Sequence, residues 1–177
     1  MNKKLFSNGK LFIRELKISD VSKKYIGWLN DINTNRYTEQ KYFKHTHTKV
    51  TKYLKEKIKS KNEFLYGIFI RENKKNIHVG NIKIGPINFQ HKFSEISYLV
   101  GDSNFINQGV ATSAVKIAIR LCRSKFKIKK LIAGCYKKNK ASKKVLQKNK
   151  FKLEGVISKK LIFNKKREDH LIFGLNL

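Results

Sequence analysis

From Leu11 to Leu175 the chain alternates between two kinds of hydrophobic patterning. Leu11-Phe12-Ile13-Arg14-Glu15-Leu16 predicts a first strand. Ser19-Asp20 offers an N-cap for a helix carrying Tyr25, Ile26, Trp28 and Leu29, which Asn30-Asp31-Ile32-Asn33 ends. A polar, aromatic stretch without clear period follows, from Asn35 to His47. Loops of that length often serve function. A second helix begins near Thr48 and passes through Val50, Tyr53, Leu54 and Ile58 toward Ser60. Residues 64–70 and 79–84 read as an antiparallel hairpin about Glu72-Asn73-Lys74-Lys75-Asn76, and Gly85-Pro86 ends its second strand. The turn 88–92 then leads into a third strand, 93–100. A helix to about Lys125, a strand over 130–135 apolar at Leu131, Ile132 and Ala133, and a helix from Lys140 or Ala141 to about Lys148 come next. Residues 151–163 and 169–175 form a closing hairpin around Asn164-Lys165-Lys166. The order β-α-α-β-β-β-α-β-α-β-β predicts an α+β fold, with about seven strands in a sheet of mixed direction and helices on both faces. No repeat or low-complexity linker interrupts it, so one domain over 1–177 is expected.

The stretch 93–121 is the centre of this pattern. Ile96, Tyr98 and Val100 share one strand face, and Val110, Ala114, Ile117, Ala118 and Leu121 share one helix face. Between them lies a turn with Gly101 and Gly109, the latter where the helix must begin. Free backbone N–H groups and the positive end of a helix dipole would converge there. Such a place binds phosphate readily. An ordinary β-turn-α unit with no ligand gives the same pattern.

Composition narrows the picture. Forty per cent hydrophobic residues, 11% of all residues being aromatic, argue for a folded globule. The formal charge is +29, with lysine spread from Lys3 to Lys166. A basic surface attracts anionic partners. Nucleic acid, a phosphorylated cofactor and a nucleotide-sugar all qualify, and so do merely solvated lysine-rich faces. Cys122 and Cys135 have neither metal spacing nor a disulfide framework, and read as reduced core residues of a cytoplasmic protein. Asn2-Lys3-Lys4-Leu5-Phe6 lacks the apolar run of a signal peptide. No apolar run reaches the length of about 18 residues that a membrane span needs.

The chain resembles the GCN5-related N-acetyltransferase (GNAT) family, in particular the branch of ribosomal-protein N-terminal acetyltransferases and sugar acetyltransferase relatives. The family's acetyl-CoA motif, Arg/Gln-x-x-Gly-x-Gly/Ala on a strand-turn-helix, is matched by Ile106-Asn107-Gln108-Gly109-Val110-Ala111 and Thr112. Ile106 departs at the first position. A second signature, Asn then Ser then Gly-Phe, is matched by Asn139, Ser142 and Phe151, with Lys150 where glycine is usual. The preceding Asn149 is then expected to supply the left-handed residue at the helix stop. The resemblance spans Leu11 to Leu175 and implies a twisted, largely antiparallel central sheet.

What it implies for chemistry can be placed residue by residue. The backbone amides of Gln108, Gly109, Val110, Ala111 and Thr112 would bind the pyrophosphate of acetyl-CoA. The main chain of Tyr98, Leu99 and Val100 would pair with the pantetheine arm, and Asn139 would hydrogen-bond that arm or cap a loop. Acetyl transfer to an amine needs a neutral nucleophile, a positioned thioester and a proton for the leaving thiolate. Leu146 stands where many members carry an acidic tyrosine. Ser142 is the nearest replacement by analogy, unless its hydroxyl only caps the helix. Glu95 is the candidate base if its side chain faces the acceptor, and otherwise a solvated carboxylate.

Arg36, Tyr37, Glu39 and Gln40 are candidate acceptor contacts, with His45 and His47 beside them. His45-x-His47 has no further ligand, so no metal is expected. Asp169-His170 either approaches the cleft or pairs with lysines across the strands. The expected activity is acetyl-CoA-dependent N-acetylation of a primary amine on a small molecule or peptide, such as a nucleotide-linked amino sugar or a protein N-terminus. A basic nucleic-acid-binding module and a non-catalytic acyl-CoA binder on the same fold are the alternatives. The aromatics fall in core-like positions, which disfavours nucleic acid. Monomer and homodimer both remain open.

Overall fold

The computed structural model describes residues 6–8 and 10–177, with side chains from Lys10 onward. The segment 2–5, read above for a signal peptide, lies outside them. Eight strands form one sheet: β1 (Phe6–Asn8), β2 (Leu11–Glu15), β3 (Phe64–Glu72), β4 (Lys75–Asn88), β5 (Phe93–Val100), β6 (Lys130–Tyr136), β7 (Lys152–Phe163) and β8 (Lys166–Asn176). Their spatial order is β1-β2-β3-β4-β5-β6-β8-β7. Every neighbouring pair is antiparallel except β5–β6. Seven strands match the hydrophobic pattern, and the three-residue β1 is the addition.

Helices cover both faces. On one, α4 (Val110–Ser124) and α5 (Lys140–Lys148) bury Val110, Ala114, Ile117, Leu121 and Leu146 against Ile82, Ile96, Leu131 and Phe173. On the other, α1 (Lys23–Asn30) and α3 (His47–Lys59) bury Tyr25, Trp28, Val50 and Leu54 against Phe12 and Phe69. Burying each such aliphatic side chain contributes about 1.5–3 kcal/mol, so the two apolar layers fix which way the helices face.

Four local expectations are corrected. Ser22, not Ser19-Asp20, caps α1, accepting from the Tyr25 N–H at 3.1 Å. Asp20 is instead held by Arg14 through two bonds of 2.7 Å. Asp31 does not simply end α1, because its carboxylate caps a further short helix, α2 (Ile32–Asn35). Gly85-Pro86 does not end β4, which runs on to Asn88 through a break in register between Ile84 and Ile87. Proline lacks an N–H, and a bulge is where a sheet tolerates it. Lastly, Lys150 (φ 68°), not Asn149 (φ −93°), is the left-handed residue after α5. The Asn149 side chain is otherwise engaged, donating to the Thr112 carbonyl at 3.1 Å and the Val145 carbonyl at 3.0 Å. It ties α5 to the first turn of α4.

Candidate active site

The site begins where the one parallel pair of strands comes apart. β5 and β6 pair only from Phe93↔Lys130 to Glu95↔Ile132. Beyond that point β5 continues to Val100 and β6 to Tyr136, and their facing edges diverge. On their far edges β5 stays paired to β4 and β6 to β8. The fork therefore exposes two strand edges inside a cleft of about 1360 Å³. Ile96, Ser97, Tyr98, Leu99 and Val100 line one wall; Ala133, Gly134, Cys135 and Tyr136 line the other. Unpaired strand edges carry backbone donors and acceptors for an extended ligand.

At the open end of β5 the chain turns into α4. Gly109 is its N-cap, left-handed at φ 76°, and gives no side-chain cap. A residue with a Cβ would be strained in that conformation. By contrast, Ser22, Thr46 and Asn139 cap α1, α3 and α5 with side-chain oxygens. The first turn of α4 thus presents uncapped N–H groups to the cleft, where Gly109, Val110, Ala111 and Thr112 all lie. Gln108 is not among the lining residues, and its side chain donates to the Asn104 carbonyl at 2.6 Å.

Across the fork, α5 brings its own N-terminus. Asn139 accepts from the Ser142 N–H at 3.0 Å. The Tyr98 hydroxyl meets Ser142 Oγ at 2.9 Å, with the Ser142 carbonyl 3.3 Å away. Tyr98 was expected to serve through its main chain; its side chain bridges both walls of the cleft. Burial pushes its phenol pKa above the ordinary value. Leu146 is fully buried in the core. Burial also pushes the Cys135 thiol up and the Cys122 thiol up to about 12. Both cysteines are free.

The remaining wall comes from the segment after α2. Thr38 caps a 3-10 turn over Glu39–Tyr42, and Tyr37 stacks on Phe163 of β7 with ring centroids 4.9 Å apart. Lys41 donates to Tyr136 Oη at 3.2 Å and to the Arg36 carbonyl at 3.1 Å. This strap ties the loop to the tip of β7. Arg36, Tyr37, Glu39 and Gln40 all line the cleft, and so does His170, the first of the two placements expected for it; Phe43, Tyr53, Tyr136 and Lys160 join them without having been expected as acceptor contacts.

Glu95 is exposed and is not among the lining residues. Asp169 pairs with Lys137 at 3.0 Å, whereas its neighbour His170 faces the cleft. His45 Nε2 lies 3.1 Å from the Gln40 carbonyl. Among the described residues no cluster of His, Cys, Asp or Glu could hold a metal, and no helix is long and apolar enough to cross a membrane.

An acetyltransferase (GNAT) domain model matches residues 10–152. The chain belongs to the GNAT acetyltransferase family. RimL, a ribosomal-protein α-N-acetyltransferase solved with coenzyme A, superposes with a TM-score of 0.85 at 18% identity, covering 98% of each chain. The microcin self-immunity acetyltransferase MccE, solved with acetyl-CoA and AMP, gives 0.83 at 20% identity over 96% of this chain and 94% of its own. The spermidine N-acetyltransferase from Vibrio cholerae, solved with CoA and spermine, gives 0.84 at 15% over 96% of both. At these identities the likeness is one of fold. A search of curated protein sequences finds no match.

Proposed function

We propose that this GNAT enzyme binds acetyl-CoA in the β5–β6 fork and transfers the acetyl group to a primary amine carried on an anionic body. The observation that carries the reading is the fork itself, ending in the uncapped N-terminus of α4. It fits acetyl-CoA part for part. The first-turn amides of Gly109 to Thr112 would hold the pyrophosphate. The free edge of Tyr98, Leu99 and Val100 would pair with the pantetheine amides, with Asn139 at the other wall. The cofactor, when bound, supplies an acetyl group activated as a thioester.

The protein's own groups supply position and protons. The Tyr98–Ser142 hydroxyl pair, both members of which line the cleft, is the proton source for the leaving thiolate. Glu95 shares the sheet face of Ile132, Gly134 and Tyr136, and acts on the acceptor side through charge. Acceptor class follows from the cleft's charge. Arg36, Lys44, Lys49 and Lys160 border the strap side, and Glu39 is the single carboxylate among the lining residues. A polyamine would meet like charges there; an amino-sugar nucleotide or an acidic peptide N-terminus would meet opposite ones. Glu39, Gln40, Arg36 and Tyr37 are the residues placed to orient it.

The test is thiol release from acetyl-CoA with three acceptors: a UDP-linked amino sugar, a short acidic peptide with a free N-terminus, and spermidine. One of the anionic acceptors should turn over with a KM that rises with salt. Faster turnover of spermidine than of either would refute the acceptor class.

A further inference from the structure

Resting on the transferase reading above, we propose that His170 is the general base, taking a proton from the acceptor's ammonium group so that the amine can attack. His170 lies in β8, an interior strand, opposite Tyr136 of β6 and Ile157 of β7. Its paired position puts it on the face of Gly134 and Tyr136, away from Leu171 and Phe173, which enter the core beneath α4. The imidazole lies over Gly134, where any Cβ would collide with Nε2. Absence of a side chain at that cleft-lining position opens the seat for the ring. Gly134 is two residues past Ile132, the last pair before the fork, so the ring stands at the point where the thioester and the acceptor must meet.

No structural bond accounts for this histidine. Its Nδ1 is shut from solvent and has no hydrogen-bond partner. The charged groups facing it come from three elements: Lys160 of β7, Glu39 of the strap and Glu95 of β5. Burial first, then Lys160, hold the ring below the ordinary 6.5 and therefore neutral near pH 7. Glu39 and Glu95 act the other way and stabilise the imidazolium once it forms. That gives exposed Glu95 a supporting role, at a distance, rather than the role of proton acceptor.

The protons balance. One N–H bond of the ammonium breaks and its proton joins the imidazole. The freed lone pair forms the N–C bond to the thioester carbonyl, the C–S pair leaves with sulfur, and the sulfur takes a proton from the Tyr98–Ser142 hydroxyls. The second proton lost by nitrogen restores that pair, and the imidazolium releases its own to water.

The experiment compares the parent with His170→Gln and His170→Ala, using whichever of the three acceptors above the parent acetylates. Expected is a kcat loss of about 100-fold, together with loss of the acid limb of the pH profile of kcat/KM. Acetyl-CoA affinity by calorimetry should be little changed, which also shows that the variants are folded. Unchanged turnover, or an unchanged acid limb, overturns the proposal. A second arm follows the imidazole signals by NMR, with His170 assigned by its absence in the variant. It should titrate below 6.5 and shift when acetyl-CoA is added. A ring that titrates as an ordinary exposed histidine and ignores acetyl-CoA overturns the proposal even if no acceptor turns over. Failure of the parent to bind acetyl-CoA would instead sink the transferase reading, and this inference with it.

Discussion

The α4 side of the cleft is built from regular elements and main-chain groups: a strand edge at Tyr98 to Val100, a glycine cap, and a helix whose inner face is buried end to end. The strap side is built from side chains that meet across long stretches of sequence, with Tyr37 on Phe163 and Lys41 on Tyr136. Main-chain groups recognise what many ligands share, such as a pyrophosphate or an extended amide arm. Side chains on a loop recognise what distinguishes one acceptor from another. On the function proposed above, the common co-substrate takes the first wall and the particular acceptor the second, a division that can be broken by mutation in a graded way.

The largest separation is expected from Gly109→Trp. Strain at φ 76° and a bulky ring over the first-turn amides should remove acetyl-CoA binding in calorimetry, with far-UV circular dichroism unchanged. Ser142→Ala should lower kcat at least about 10-fold while acetyl-CoA affinity holds, a split that steady-state kinetics plus calorimetry reads directly. Asn149→Ala removes two bonds that join α5 to α4. It should cost about 1–3 kcal/mol in denaturant unfolding, at about 0.5–1.5 kcal/mol for each of the two bonds lost.

A smaller effect is expected on the strap side. Phe163→Ala deletes the partner of Tyr37 and should cost about 0.5–1.5 kcal/mol of stability. It should raise the acceptor KM and leave acetyl-CoA affinity alone.

Protonation gives a further contrast, set by His78 beneath the opposite helical layer. Burial among Tyr25, Trp28 and Phe69 holds this ring below the ordinary 6.5, against the pull of Asn81 and Asp20. Below that pH the unfolded chain takes up the proton more readily than the folded one. Stability is then full above about pH 6.5 and falls as pH drops toward the folded value. His170 adds to the same trend. In urea unfolding, His78→Gln should flatten the slope without abolishing it.

The same contrast explains what could be read from the chain alone. The co-substrate wall is local: alternation gives the β5 face, 3.6-residue spacing gives α4, and Gly109 sits at their junction, all within 29 residues of sequence from Phe93 to Leu121. Asn139 and Ser142 were picked out only through the family resemblance, and the structure joins them as a cap and its N–H three residues apart. The strap was not, because no pattern links Tyr37 to Phe163 before the sheet is assembled. Nor did any local signal turn the Tyr98 side chain toward Ser142, 44 residues away. His170 was legible only as one of two placements, at the cleft or paired with lysines; what decides it, the ring seated over Gly134 of the neighbouring strand, needs the assembled sheet. Two misread punctuation marks, Gly85-Pro86 and Asn149, were local signals overridden by a bulge and by a side-chain bond to Thr112.

The central claim is where acetyl-CoA lies, and amide chemical-shift mapping tests it most directly. On titration with acetyl-CoA, the account predicts saturable shifts concentrated at residues 96–100, 109–112 and 133–142, with β1 to β3 nearly silent. Shifts confined to the outer lysines, or no saturable response at the Gly109 to Thr112 amides, would contradict it.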